Sequence, residues 1–194
     1  MTNYEERLKA IIREQTWLIG ALETVRSLNL PDWYIAAGAI RNTVWDFLHG
    51  FKERTPLNDI DVAYFDSSDM EGVKERESES KLKIINSFIM WEVINQARGH
   101  LFQHGDEIKR PPVKSSCDSI AYWSETPTCV GVRLEQNNSL TICAPHGLSD
   151  LLELRVRPIP QPYRDLNLYK RRMQEKKWDQ RWPNLNIENP LSSA

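Results

Sequence analysis

Cysteine is scarce in this sequence. The three present, Cys117, Cys129 and Cys143, are odd in number and widely spaced. They build no zinc ribbon, no redox Cys-x-x-Cys and no disulfide framework, which points to a reducing compartment and a cytoplasmic protein. Long apolar runs are missing too: no stretch approaches the roughly 20 apolar residues of a membrane span. The opening "MTNYEERLKA" carries charges where a secretory leader needs an apolar run. A dominant charge is also absent. The formal net charge is −2, so the chain as a whole is no polyanion binder, and only a local basic patch could serve nucleic acid. His49, His104 and His146 lack metal-ligand spacing and read as structural or exposed. No repeat and no low-complexity linker divides the 194 residues. One domain over 1–194 is expected, long enough to bury a core without disulfides or structural metal.

What is present begins with helical spacing. Leu8, Ile11, Ile12, Leu18, Ile19, Leu22 and Val25 predict one amphipathic helix over residues 3–28. "WYIAAG" reads as a short buried strand ending in glycine, and "AIRNTVWDFLHG" as a helix closed by Gly50. The segment from 67 to 88 is highly charged, an exposed connection running into a helix. "IMWEVINQ" is a further strand. "SSCDSIAYW" predicts a short helix with a serine N-cap, and "CVGVRLEQNNSLTICA" a β-hairpin turning at "QNNS". Another short helix lies in "GLSDLLELRVRP", and a basic amphipathic helix covers about 163–179. This order predicts an α+β domain with one modest sheet.

The segment "PLNDIDVAYFD", residues 56–66, puts Ile60, Val62 and Tyr64 on one strand face and Asp59 and Asp61 on the other. Two carboxylates on one face repel each other, so a cation should sit between them or the face should open to water. Magnesium prefers hard oxygen ligands and commonly binds through one or two carboxylates plus substrate phosphates. About twenty residues upstream, "IAAGAIRN" places Gly38 at a strand-to-helix turn. Helix-start N–H groups carry partial positive charge, Gly38 and Ala39 leave the approach to them clear, and Arg41 adds a cation one turn on. A phosphate cradle followed by paired carboxylates is equipment for metal-assisted phosphoryl transfer.

Gly38-Ala39 followed by Asp59-x-Asp61 resembles the nucleotidyltransferase core of the DNA polymerase beta superfamily. More narrowly, "AAGAIRNTVWDFLHG", "LNDIDVAYFD", "WEVINQARGH", "TPTCVGVRL", "APHGLSDLLELRVRP" and "KKWDQRWP" resemble a bacterial family of small predicted nucleotidyltransferases. Six blocks in order, from about residue 15 to 185, carry that resemblance. It implies a mixed β-sheet flanked by α-helices, Gly38 near a nucleoside triphosphate, and Asp59 and Asp61 holding Mg²⁺. It also implies a third carboxylate on a neighbouring strand that binds a second metal and helps activate the attacking hydroxyl. Glu92 is the strand-borne candidate; Asp118 and Asp150 are alternatives at helix starts. The sequence departs from the superfamily at Ala39, where many members offer a hydroxyl to phosphate.

"NQARGH" gathers Asn95, Gln96, Arg98 and His100, a cluster suited to a base, phosphate or sugar. Asp66 and Asp69 lie past the strand and read as solvated, as does the basic face of "YKRRMQEKKWDQR". The tryptophans read as core or seam anchors. The expected activity is Mg²⁺-dependent transfer of a nucleoside monophosphate from an NTP to an unidentified hydroxyl acceptor. Two other readings stand beside it: a catalytically silent nucleotide- or partner-binding module of the same fold, and a metal-dependent phosphohydrolase with water as acceptor.

Overall fold

A computed structural model describes residues 3–102 and 111–189. Two helices open the chain, α1 (Tyr4–Arg13) and α2 (Thr16–Arg26), where the spacing predicts one. The break falls at Glu14 and Gln15, which cap the two helices without any glycine or proline. The apolar stripe continues across it, so Leu8, Ile11, Ile12, Leu18, Leu22 and Val25 still meet in one core. The strand β1 (Tyr34–Ala36) then leads into α3 (Gly38–Leu48), which stops at His49 with Gly50 following at φ +68°. That left-handed step suits glycine and ends the helix, as expected from the sequence.

The strand β2 (Ile60–Tyr64) is followed by α4 (Val73–Ile85) and β3 (Trp91–Asn95). A 3-10 segment, Gln96–Phe102, follows. Later come α5 (Ser116–Ile120), the hairpin β4 (Gly131–Leu134) and β5 (Leu140–Cys143), then α6 (Ser149–Leu152) and β6 (Arg155–Val156). Ser115 caps α5 through its side chain, which accepts from the Asp118 N–H at 3.0 Å. The chain ends in α7 (Leu166–Lys176), α8 (Trp178–Arg181) and β7 (Asn186–Ile187). The single basic helix expected at about 163–179 is thus two helices, hinged at Lys177, whose φ is +46°.

Five strands form one mixed sheet in the order β3-β2-β1-β4-β5. The pair β2–β3 is parallel and the other pairs are antiparallel, while β6 and β7 make a separate parallel pair. The class is α+β, with helices flanking a mixed sheet. Ile35, Ile60, Val62, Tyr64, Val93 and Val132 belong to the main core with α1, α2 and α3. A smaller cluster of Tyr34, Ala36, Ala63, Ile120, Cys129, Cys143 and Ile159 lies apart from that core. It is built largely from small side chains and leaves one end of that sheet face open.

Two expectations are corrected here. Cys117 and Cys143 are disulfide-bonded, with Cα atoms 5.7 Å apart, because α5 packs over the end of β5; Cys129 stands outside that bond and is buried. Asp69 is buried rather than solvated: it accepts from Tyr64 Oη at 2.9 Å and from the N–H groups of Val73 and Lys74 at the start of α4. Among the described residues, no helix is long and apolar enough to cross a membrane.

Candidate active site

The open end of the sheet is a cleft of about 450 Å³. Its acidic side comes from adjacent strands. Asp61 on β2 stands opposite Glu92 on β3, Asp59 precedes β2, and all three carboxylates line the cleft. Asp61 is pushed up to about 7, first by burial, then by the charges of Asp59 and Glu92. Arg41 and a backbone hydrogen bond from Gly38 pull the other way. Burial and the charges of Asp59 and Glu79 also raise Glu92. The acids and the glycine turn therefore meet directly, with no packed hydrophobic layer between them.

The turn is not built quite as the sequence implies. The left-handed position is Ala37, at φ 49° and ψ −122°, and Gly38 is the first helical residue. A methyl on Gly38 would meet Leu57 at 3.8 Å and Arg41 at 3.9 Å, ordinary contacts. The strain at Ala37 is of the kind that persists where the surroundings over-determine the backbone. It turns the start of α3 toward the acids. Gly38 hydrogen-bonds Asp61 and the Arg41 N–H donates to the Ala37 carbonyl, so the N–H groups of Ala39 and Ile40 remain as the anion donors of this helix start.

Arg41 is buried and lines the cleft. It donates to Thr128 Oγ1 at 2.8 Å and to Asn42 Oδ1 at 2.9 Å, and its guanidinium lies 4.2 Å from the Trp178 ring centroid. Burial draws it down to about 10, against the pull of Glu125. Its Nε is buried without a hydrogen-bond partner.

The opposite wall comes from the far end of the chain. Leu168, Arg172 and Lys176, spaced four apart on one face of α7, line the cleft with Tyr122, Trp123, Ser124 and Thr128. Arg172 is stationed by Glu125, which is fully buried and accepts from Arg172 Nε at 2.5 Å and from Thr128 Oγ1 at 2.9 Å. Docking of the C-terminal helices rests on tryptophans. Trp45 of α3 makes edge contacts with Trp178 at 5.3 Å and Trp182 at 5.0 Å. Trp182 Nε1 donates to the buried Asp46 at 2.8 Å. Aromatic pairs of this geometry contribute about 0.5–1.5 kcal/mol each beyond their burial.

Of the site residues read from sequence, Gly38, Arg41, Asp59, Asp61 and Glu92 line one cleft, and Ala39 follows Gly38 in the first turn of α3. Asn95 and Arg98 do not join them, which corrects their reading as nucleotide contacts. Asn95 is fully buried and bonds the backbone of Asp66, Asp69 and Ala97. Arg98 is paired with Glu75. The alternative third carboxylates are likewise engaged elsewhere. Asp150 is forked by Arg157 and bonded by Thr126, and Asp118 accepts from the Lys114 N–H at 3.0 Å. His49 and His146 hydrogen-bond backbone groups; His104 and the side chain of His100 lie outside what is described. Sequence reasoning missed Arg172 and Lys176. Their four-residue spacing with Leu168 was the available signal.

Among the described residues, no three metal-ligating side chains converge closely enough to enclose an ion by themselves. The donor set still suits a hard divalent cation: the carboxylates are crowded enough to raise Asp61, and magnesium completes its shell with water and phosphate oxygens.

A helix start, carboxylates on two parallel strands and this sheet order define a nucleotidyltransferase domain of the polymerase beta type. The chain belongs to the family described as Nucleotidyltransferase, whose profile matches residues 23–187. It is similar to a protein whose NMR structure reveals a CCA-adding enzyme head domain, at 31% identity, TM-score 0.78 and 95% coverage of each chain. It is also similar to the Thermotoga maritima CCA-adding enzyme complexed with tRNA, at 14% identity and TM-score 0.56. That match covers 95% of this chain and 43% of the other. A tRNA-processing enzyme in an apo form matches at 16% identity and TM-score 0.51, over 86% of this chain and 44% of the other. These two likenesses are of fold, and the chain spans less than half of each of those longer proteins. No curated protein matches the sequence.

Proposed function

We propose that the protein is a Mg²⁺-dependent nucleotidyltransferase, moving a nucleoside monophosphate from an NTP to a hydroxyl acceptor. The observation that carries this reading is the meeting of Asp59, Asp61 and Glu92 with the Gly38 turn in one cleft, opposite Arg172 and Lys176. Asp59 and Asp61 would hold the cation. When bound, Mg²⁺ supplies Lewis-acid neutralisation of the phosphate oxygens. The N–H groups at the start of α3 orient the triphosphate, and Arg41 offers its unused Nε–H to it. The acceptor oxygen bonds to the α-phosphorus. The α–β bridging bond then breaks, and its electron pair leaves with pyrophosphate. Glu92, whose raised proton affinity suits a base, takes the acceptor proton. Positioning and electrostatics do most of this work.

The test is incubation with Mg²⁺, α-labelled NTPs and candidate hydroxyl acceptors. Transfer of label with release of pyrophosphate, lost in Asp61→Asn, is the expected result. Nucleotide binding with no release would leave a silent module, and release without any acceptor would mark a hydrolase.

A further inference from the structure

The cleft has a second arm. A cavity of about 320 Å³ shares Gly38, Arg41, Asp59 and Lys176 with the first, and adds Pro56, Asn58, Glu175, Trp178 and Arg181. The two arms differ in what they offer. The first holds Asp61 and Glu92, the aromatic residues Tyr122 and Trp123, and Arg172, whose charge Glu125 already neutralises. In the second, Asp61 and Glu92 are absent and the cations are Arg41, Lys176 and Arg181, against Asp59 and Glu175. Neither Lys176 nor Arg181 is ion-paired among the described residues. Arg41, only 6% exposed, lines both arms and keeps an unpartnered buried Nε–H. The hinge at Lys177 brings Lys176 at the end of α7 and Arg181 at the end of α8 to this same arm. A mouth of Lys176, Lys177, Gln180 and Arg181 adjoins it.

We propose that this second arm is a polyphosphate seat. Resting on the nucleotidyltransferase reading, it receives the β- and γ-phosphates of the bound NTP and releases pyrophosphate through the Lys177–Arg181 mouth. The nucleoside then lies in the first arm, with the α-phosphate at the junction beside Gly38 and Asp59. Cations around a small cavity recognise a compact polyanion, and Lys176 and Arg181 hold no ion pair that it must first break. The aromatic wall of the other arm suits a flat base.

The experiment measures binding of three probes to the full chain with Mg²⁺: inorganic tripolyphosphate, an α,β-methylene NTP and the matching NMP. Lys176→Ala and Arg181→Ala, both at exposed positions, are compared with Arg171→Ala. The last removes the same charge from α7 outside the cleft. Each cleft variant should weaken tripolyphosphate and the NTP analogue by about tenfold or more and leave the NMP unchanged. Arg171→Ala should leave all three unchanged. Equal weakening of the NMP, an equal effect of Arg171→Ala, or wild-type affinity in the cleft variants overturns the proposal. Tripolyphosphate binding that depends on Lys176 and Arg181, in a protein that transfers no nucleotide, would keep this seat and remove the enzymatic reading. Nucleotide transfer with an NTP KM indifferent to both substitutions would do the reverse.

Discussion

Asp61 and Glu92 stand directly opposite each other across the parallel β2–β3 pair, with Asp59 beside them and with Arg41 and a Gly38 N–H offsetting part of the charge on Asp61. The arrangement stores repulsion that a ligand can relieve. It also has a measurable signature.

Burial and the neighbouring acids push Asp61 up to about 7 from its ordinary 3.8. A carboxyl whose folded pKa is raised contributes stability below the unfolded value, and that contribution is lost as pH rises through the folded one. Cation-free protein should therefore lose melting temperature between about pH 4 and pH 7 through this group. Asp61→Asn should remove that slope and stabilise the protein at pH 8 by about 1–3 kcal/mol. Saturating Mg²⁺ should flatten the slope in the wild type. Thermal melts across this range in EDTA and in Mg²⁺ check all three; a wild-type slope that survives in Asp61→Asn would assign it to other groups.

Glu125 is a buried carboxylate with a specific task, holding Arg172 and Thr128 at the cleft. Glu125→Ala leaves those partners unsatisfied and should cost about 3 kcal/mol in urea denaturation. Glu125→Gln keeps an acceptor and should cost less. Equal losses in the two variants would mean that the charge, not the hydrogen bonding, holds the wall together.

The strained turn predicts an inversion of the usual glycine rule. Ala37→Gly should stabilise the protein by about 1 kcal/mol, because glycine enters that backbone region without penalty. Gly38→Ala should fall within about 0.5 kcal/mol of wild type, since its methyl finds room. Chemical denaturation of the two variants decides the matter, and a destabilised Ala37→Gly would contradict it.

The Cys117–Cys143 bond closes a loop with a sequence separation of 26. By loop entropy, reduction should cost about 3.5 kcal/mol. A lower melting temperature in reducing agent, matched by Cys143→Ser under oxidising conditions, is the expected result. Two free thiols by mass-spectrometric labelling of unreduced native protein would contradict it.

Much of the acidic half of the site was legible because its signals are local. The alternation from Ile60 to Tyr64 identifies β2, and Asp59 and Asp61 stand out from it. The hairpin of β4 and β5 and the serine cap of α5 were equally plain, since each needs only a few neighbouring residues. The basic half was hidden by distance. Arg172 and Lys176 read as a solvated face because nothing near them announces that Trp45, more than a hundred residues upstream, packs against Trp178 and Trp182. The break between α1 and α2 escaped notice because the apolar stripe runs through Glu14 and Gln15 without a breaker. Asn95 misled for the opposite reason: a polar residue at a strand end suits a ligand and a buried turn anchor alike, and here it is the anchor.

The walls of the cleft come from residues 37–92 and, much later, from residues 122–128 and 168–181. During translation the ribosome thus delivers the acids long before the cations that face them. Until α7 and α8 have emerged, the carboxylates lack the facing wall that carries Arg172 and Lys176.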